Sequence, residues 1–426
     1  MKKITIIFIL LIFLDDYGCI NLTPFVTIAT IKSDDEKGLD DAISKLNKSG
    51  GVIYIDTPII HIFVSTLTKK LSGAKLGQII GIQQSDGSYP IIDFTHARRD
   101  TNCGFEISGS YQFLKYLIIQ NSWTGIRITG SRNNLEHIIT RYNLGSGIQI
   151  SDNAISNSLH YCYSYRNLDF SDYGANASGF FLKPGSGQTF FSYCFSFDNS
   201  DKGWDVNDKE GDSSISVSYM NSATWNNGNP EVFIGKYDYD NNWPLDKNLF
   251  TIMYITRTDR NFESNYNNRK FAFSGSAKIG SNSLSSWLSK AENAMSGVGF
   301  TFGSKTTQKS TDVKKAADFS IAFDHRSIGF DNNDSDQCSG YISNCVSFNN
   351  KVNYQLPYKF ATWTNNWSWL PSSSHQFKQS QTLKTPNNTK DVTLAIYEIR
   401  NKIVSNCRAN KFDDSANFDS IIKGLN

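Results

Sequence analysis

The chain lacks an excess of charge of either sign. Its 42 Lys and Arg residues stand against 40 Asp and Glu, a net charge of +2. That balance excludes the basic footprint of a nucleic-acid binder and a polybasic membrane contact. It also lacks a CxxC pair. Its 7 cysteines, Cys19, Cys103, Cys162, Cys194, Cys338, Cys345 and Cys407, show no metal-ligand spacing. Disulfides are permitted in an oxidising compartment, but the spacing sets no pairing. Beyond the N-terminus there is no apolar run long enough to cross a bilayer, so no membrane span is expected.

What is present points outward and to β-structure. Lys2 and Lys3 precede the apolar run Ile4 to Leu14. This reads as a signal peptide over residues 1–19 and a secreted protein. Phe (29) and Tyr (20) are numerous and Asn is abundant. That composition suits strands joined by tight turns.

A repeat becomes legible from about residue 100. Gly-led strands begin at Gly104 (GFEI), Gly125 (GIRI), Gly147 (GIQI), Gly179 (GFFL), Gly203 (GWDV), Gly299 (GFTF) and Gly329 (GFDN). Spacings of 21, 22, 32, 24, 96 and 30 give a core period of about 22 to 24, with a large insertion over 228–296. Positions one and three after the Gly are apolar, as in Phe180/Leu182, Trp204/Val206 and Phe300/Phe302. They face the core, because strand side chains alternate. Position two is Glu106, Arg127, Gln149, Phe181, Asp205, Thr301 and Asp331, a mostly polar column expected to face solvent. A second column, Asn121, Asn143, Asn167, Asn199, Asn227 and Asn350, closes strand-like runs. Asn tolerates left-handed turns, and stacked amides hydrogen-bond from coil to coil.

The expected fold is all-β: a single-stranded right-handed parallel β-helix over residues 20–370. Residues 34–47 predict an amphipathic helix, with Leu39, Ala42, Ile43 and Leu46 inward, capping the open end before the first strand, GGVIYI. The Trp-rich run ATWTNNWSWL is expected to cover the last coil. Residues 371–426 read as a polar linker and a C-terminal helix built on VTLAIYEIRNKIVSNC.

Coil stacking of about 4.8 Å puts Asp205 beside Thr301 if 228–296 loops out. Asp201 and Lys202 occupy the turn into the same strand, and Ser178 precedes the strand one coil earlier. Asp201 and Asp205 are suited to a shared hard cation, which takes oxygen ligands. Two carboxylates are few for Ca²⁺, and by motif alone two solvated turn aspartates are the favoured reading. His325 and Arg326 precede the strand at Gly329, placed either to touch a sugar or to form a corner.

The stretch NASGFFLKPGSGQTFFSYCFSFDNSDKGWD, followed by SGVGFTFGS and DHRSIGFDNNDS, resembles polysaccharide lyase family 9, the pectate lyases with a parallel β-helix fold. The resemblance covers about residues 30–370. It implies cleavage of pectate (polygalacturonate) by β-elimination. Calcium held by aspartates binds the substrate carboxylate, and a nearby lysine serves as base. Residue by residue, the metal positions fall on Asp201 and Asp205, but also on Ser178 and Lys202. The base position falls on Thr301, whose hydroxyl cannot replace an amine at neutral pH. Three explanations compete: a non-catalytic relative that binds acidic polysaccharide, a relocated base with Lys202 the nearest, or a displaced alignment. Lys183 and Arg326 join Ser178 as substrate-contact candidates. Calcium stays a weakened expectation, and a monomer acting on or binding acidic polysaccharide is the expected protein.

Overall fold

The computed structural model describes residues 26–425 apart from 64–67, 95–102, 153, 170–171, 208–214, 235–277, 280–281, 304–313, 332–338, 357–361 and 371–382. The signal-peptide reading, Cys19 and Cys338 lie outside the described residues, as does most of the insertion.

Successive coils each add a strand to parallel sheets. One face is a nine-stranded sheet containing the Gly-led strands. The other two faces join into a nineteen-stranded sheet. They are continuous because Gln112–Gln120 and Asn134–Arg141 each run on from one face to the next. Both strands turn that corner at a single left-handed residue, Tyr116 (φ 58°) and His137 (φ 52°).

The Gly-led register is the expected one. Phe105 pairs with Ile126, Ile126 with Ile148, Ile148 with Phe180, Phe180 with Trp204, Trp204 with Phe300, and Phe300 with Phe330. The strand at Gly299 therefore stacks on the strand at Gly203. Inside, the rings of Phe180, Trp204, Phe300, Phe330 and Tyr354 stack at 4.8, 4.6, 4.9 and 5.1 Å. Each such pair is worth about 0.5–1.5 kcal/mol beyond its buried area. Gly203 is needed for close approach. A Cβ there would lie 2.3 Å from Thr224 Oγ1 and 2.6 Å from the Gly299 carbonyl oxygen.

The buried amide ladder is real, with two changes of membership. Asn143, Asn167, Asn199 and Asn227 each accept, at Oδ1, the backbone N–H of the preceding rung. The first rung is Ser122, not Asn121. Asn121 is the left-handed residue of the turn (φ 63°) and donates to Asp93. Between Asn227 and Asn350 the rung is His325. Its Nδ1 accepts the Asn227 N–H at 3.3 Å, and its own N–H donates to Asn350 Oδ1 at 2.8 Å. Burial pushes the His325 imidazole down to about 3, so it stays neutral and able to accept. His325 thus takes the corner reading.

The ends also differ from expectation. A strand, Thr27–Ile31, precedes the capping helix and pairs with Gly51–Ile55. The helix, α1 (Glu36–Ser49), buries the predicted stripe of Leu39, Ala42, Ile43 and Leu46. Lys69, almost wholly buried beneath it, pairs with Glu36 Oε1 at 3.0 Å and Asp40 Oδ1 at 2.6 Å. The Trp-rich run does not cover the last coil. It supplies strands of that coil, Thr362–Thr364 and Trp367–Trp369. The long C-terminal helix, α2 (Thr389–Arg408), lies along an outer face. There it buries Ile396, Ile403, Val404 and Cys407 within the cluster that holds Tyr165, Phe197, Trp225, Phe323, Phe348 and Trp369. That face is hydrophobic on its outer side as well, and the helix removes it from water.

Candidate functional site

The candidate site is built on the middle of the nine-stranded sheet. The strands Phe180–Leu182, Trp204–Val206, Phe300–Thr301 and Ile328–Asp331 are consecutive there. Outward positions run in register: Glu106, Arg127, Gln149, Phe181 and Asp205, then Thr301 and Asp331. The column was expected to face solvent. Its middle is instead buried at Gln149, Asp205, Thr301 and Asp331, while Glu106, Arg127 and Phe181 are half-buried.

The turn that carries Asp201 and Lys202 is tied to both neighbouring coils. Ser200 N–H donates to the Asn167 carbonyl at 3.0 Å. Gly203 N–H donates to the Val298 carbonyl at 2.8 Å, and Gly297 N–H to that of Asp201 at 3.1 Å. This scaffold holds the Asp201 carboxylate, which accepts from Ser296 Oγ at 2.5 Å and Ser178 Oγ at 3.3 Å. Ser178, buried, therefore serves Asp201. Ser296, at the end of the insertion, has the same role and was not among the sequence candidates. No motif marks it, because it arrives from 95 residues away.

Lys202 Nζ donates to Asp205 Oδ1 at 2.7 Å, with 18% and 11% of the two side chains exposed. Burial works to lower the Lys202 pKa, but the charges of Asp205, Asp201 and Asp331 outweigh it and raise it. The ammonium is held protonated, the wrong direction for a base at neutral pH. Burial raises the Asp205 pKa, and Asp201 adds to this against the pull of Lys202. Asp331 therefore belongs to the field of the site. It stood in the sequence only as a member of the outward column.

Thr301, fully buried, is committed to the backbone. Its Oγ1 accepts the Val206 N–H at 2.7 Å and donates to the Trp204 carbonyl at 3.1 Å. Its own carbonyl accepts from Tyr219 Oη at 3.0 Å. The hydroxyl stands in for a ladder carbonyl where the pairing of the two strands ends after Trp204 and Phe300. It presents nothing to a substrate.

Lys183 and Arg326 lie apart from this cluster. Lys183 follows Leu182 and sets Nζ 5.4 Å from the centre of the Phe181 ring. Arg326 is exposed at the next corner, beside the His325 rung.

The arrangement does not fit calcium. One carboxylate is ion-paired to an ammonium and the other is bonded by two serine hydroxyls. Among the described residues no group of three or more His, Cys, Asp or Glu side chains is placed to hold a metal. Ca²⁺ takes six to eight oxygen ligands, several of them charged.

The chain is similar to known proteins in both sequence and fold. A sequence family described as Pel9A-like, right handed beta helix region, matches residues 28–240, a span that holds Ser178, Lys183, Asp201, Lys202 and Asp205 but stops short of Thr301. The chain is 28% identical over 262 residues to Pectate lyase L of Paenibacillus polymyxa (strain SC2), covering 57% of this chain and 56% of that protein. It is 29% identical over 169 residues to Pectate lyase L of Dickeya chrysanthemi, covering 38% and 39%. The matches thus span about half or less of the length of these relatives. Among solved structures, pectate lyase Pel9A superposes with a TM-score of 0.56 at 19% identity, covering 85% of this chain and 80% of that one. A rhamnogalacturonan lyase gives 0.52 at 17%, covering 84% and 86%. At these identities the structural likeness speaks for the fold.

Proposed function

The chain belongs to the Pel9A-like right-handed β-helix family, and from that premise we propose that it is a secreted, monomeric, pectate-lyase-like protein that binds acidic polysaccharide of the polygalacturonate type without calcium. Residues 1–19 would be its signal peptide, 20–370 its β-helix domain and 371–426 its linker and closing helix. The observation that carries the reading is the Lys202–Asp205 pair. One of the three ammonium N–H groups is used by Asp205, and among the described residues no other hydrogen bond from Nζ occurs. Its remaining N–H groups, on a side chain that is 18% exposed, are offered as hydrogen-bond donors to the hydroxyl and carboxylate oxygens of a uronate. In this role Lys202 acts as a donor, since the charges of Asp205, Asp201 and Asp331 offset its own.

A cleaving reading requires a base. The Thr301 hydroxyl is tied into the backbone ladder, and Lys202 is held in its protonated form. The geometry therefore supports binding over elimination. The test is calorimetric titration of the secreted protein with oligogalacturonates, with EDTA and with Ca²⁺, alongside ultraviolet detection of unsaturated product from polygalacturonate. Binding that survives EDTA, with no product formed, is expected. Binding abolished by EDTA, or calcium-dependent release of unsaturated product, would overturn the reading.

A further inference from the structure

A pair of cations, Arg127 and Lys183, lies on the same face, nearer the N-terminal end of the β-helix. Arg127 points outward in register with Gln149, and Gln149 with Phe181. Lys183 leaves its strand two residues after Phe181, on the same side by strand alternation, and leans over that ring. Three coil steps separate Arg127 from Asp205, about 14 Å at about 4.8 Å each. Phe181 is one step from Asp205.

These groups are poorly neutralised. Glu106, the register neighbour of Arg127, pairs with Lys70 at 2.9 Å. Among the described residues, Arg127 Nε is buried without a hydrogen-bond partner, and neither Arg127 nor Lys183 forms an ion pair. Burial first, and then the charge of Arg127, depress the Lys183 pKa. Asp152 alone opposes them, and its Oδ2 accepts from Ser151 Oγ. Two like charges drawn together beside a half-buried ring are an unfavourable arrangement that an anion would relieve.

We propose that Arg127, Phe181 and Lys183 form a second carboxylate subsite, which takes a uronate residue of the same polysaccharide chain that reaches Lys202. The guanidinium and ammonium hold the carboxylate, and Phe181 takes the apolar face of the sugar ring. The occupant is an acidic sugar rather than a free anion, because Lys183 lies over an aromatic ring whose face a sugar can cover. The inference rests on the polysaccharide-binding reading above, and it adds length: the bound segment crosses several coils rather than ending at one lysine.

The test compares digalacturonate with hexagalacturonate, titrated into the wild type, Arg127→Gln/Lys183→Gln, Phe181→Ala and Lys202→Met, each checked for its circular dichroism and melting temperature. Arg127→Lys, which keeps the charge but not the forked donors, serves as the conservative variant if the double variant folds poorly. Loss of roughly 10- to 100-fold in hexamer affinity in the double variant, with the dimer unchanged, is expected. Phe181→Ala should weaken the hexamer alone, and Arg127→Lys should weaken it less than the double variant does. Hexamer affinity unchanged in the double variant while Lys202→Met weakens both ligands would overturn the subsite and leave the Lys202 reading standing. A wild type that binds neither ligand would overturn both.

Discussion

Replacing Lys202 separates its structural part from its binding part. Lys202→Met removes the ammonium from a buried pair and leaves Asp205 facing Asp201 and Asp331 without compensation. Breaking such a pair from one side costs about 3–5 kcal/mol. With 18% of Lys202 and 11% of Asp205 exposed, water offsets part of this, so the low end, about 3 kcal/mol, is expected. The same change removes the donors offered to a uronate. A charge-assisted hydrogen bond is worth about 1.5–3 kcal/mol, so affinity should fall about 10- to 100-fold. Adding Asp205→Leu changes one quantity and not the other. Exchanging both members of a buried pair for apolar groups is often neutral or stabilising, so Lys202→Met/Asp205→Leu should regain most of the melting temperature. It should still bind oligogalacturonate as weakly as the single variant. Differential scanning calorimetry and titration calorimetry read the two effects. A double variant that binds like the wild type would refute the role given to Lys202.

Thr301→Val should leave the buried Val206 N–H without its acceptor and cost about 1–3 kcal/mol, while Thr301→Ser should not. Equal melting temperatures for all three proteins would refute the ladder role of the hydroxyl. Lys69→Met should cost about 3 kcal/mol, the low end for a buried pair because Asp40 is 32% exposed, by leaving Glu36 and Asp40 of α1 without their cation, and hydrogen exchange should rise first in that helix. Glu136 pairs with Lys115 at 2.6 Å. Burial works to raise its carboxyl, but the His137 and Lys115 hydrogen bonds overcome this and hold it at about 2, against an ordinary 4.5. A depressed carboxyl stabilises the fold fully above about pH 4.5 and loses that contribution as pH falls toward 2. Glu136→Gln should therefore flatten the acid limb of the stability curve over that window, as followed by circular dichroism.

Much of the fold was legible because a solenoid repeats its rules. Apolar positions one and three after each Gly led to the observed partners even across the insertion, from Trp204 to Phe300. The amide column was legible except where chemistry was degenerate. Asn suits both the left-handed turn and the buried rung next to it, so the pattern points to Asn121 although Ser122 fills the rung. A rung needs only an acceptor facing the N–H before it, which is why His325 can serve. The site was less legible. Asp201, Asp205 and Lys202 sit in one short motif, but Ser296 and Asp331 join them from other coils. The Trp-rich run is not legible as strands, because these are recognisable only by what they stack on, Tyr341–Ser343 and Val346–Phe348.

By itself the sequence determined the β-helix and its register, since these follow from local alternation. Only the tertiary structure decided how Lys202 and Thr301 are held. Whether Lys202 is a base or a fixed cation depends on the three carboxylates around it. Whether Thr301 faces substrate depends on Val206 and Trp204 in the coil before it. The electrostatic field and hydrogen bonding of a side chain are set by neighbours that the chain brings close only once it has coiled.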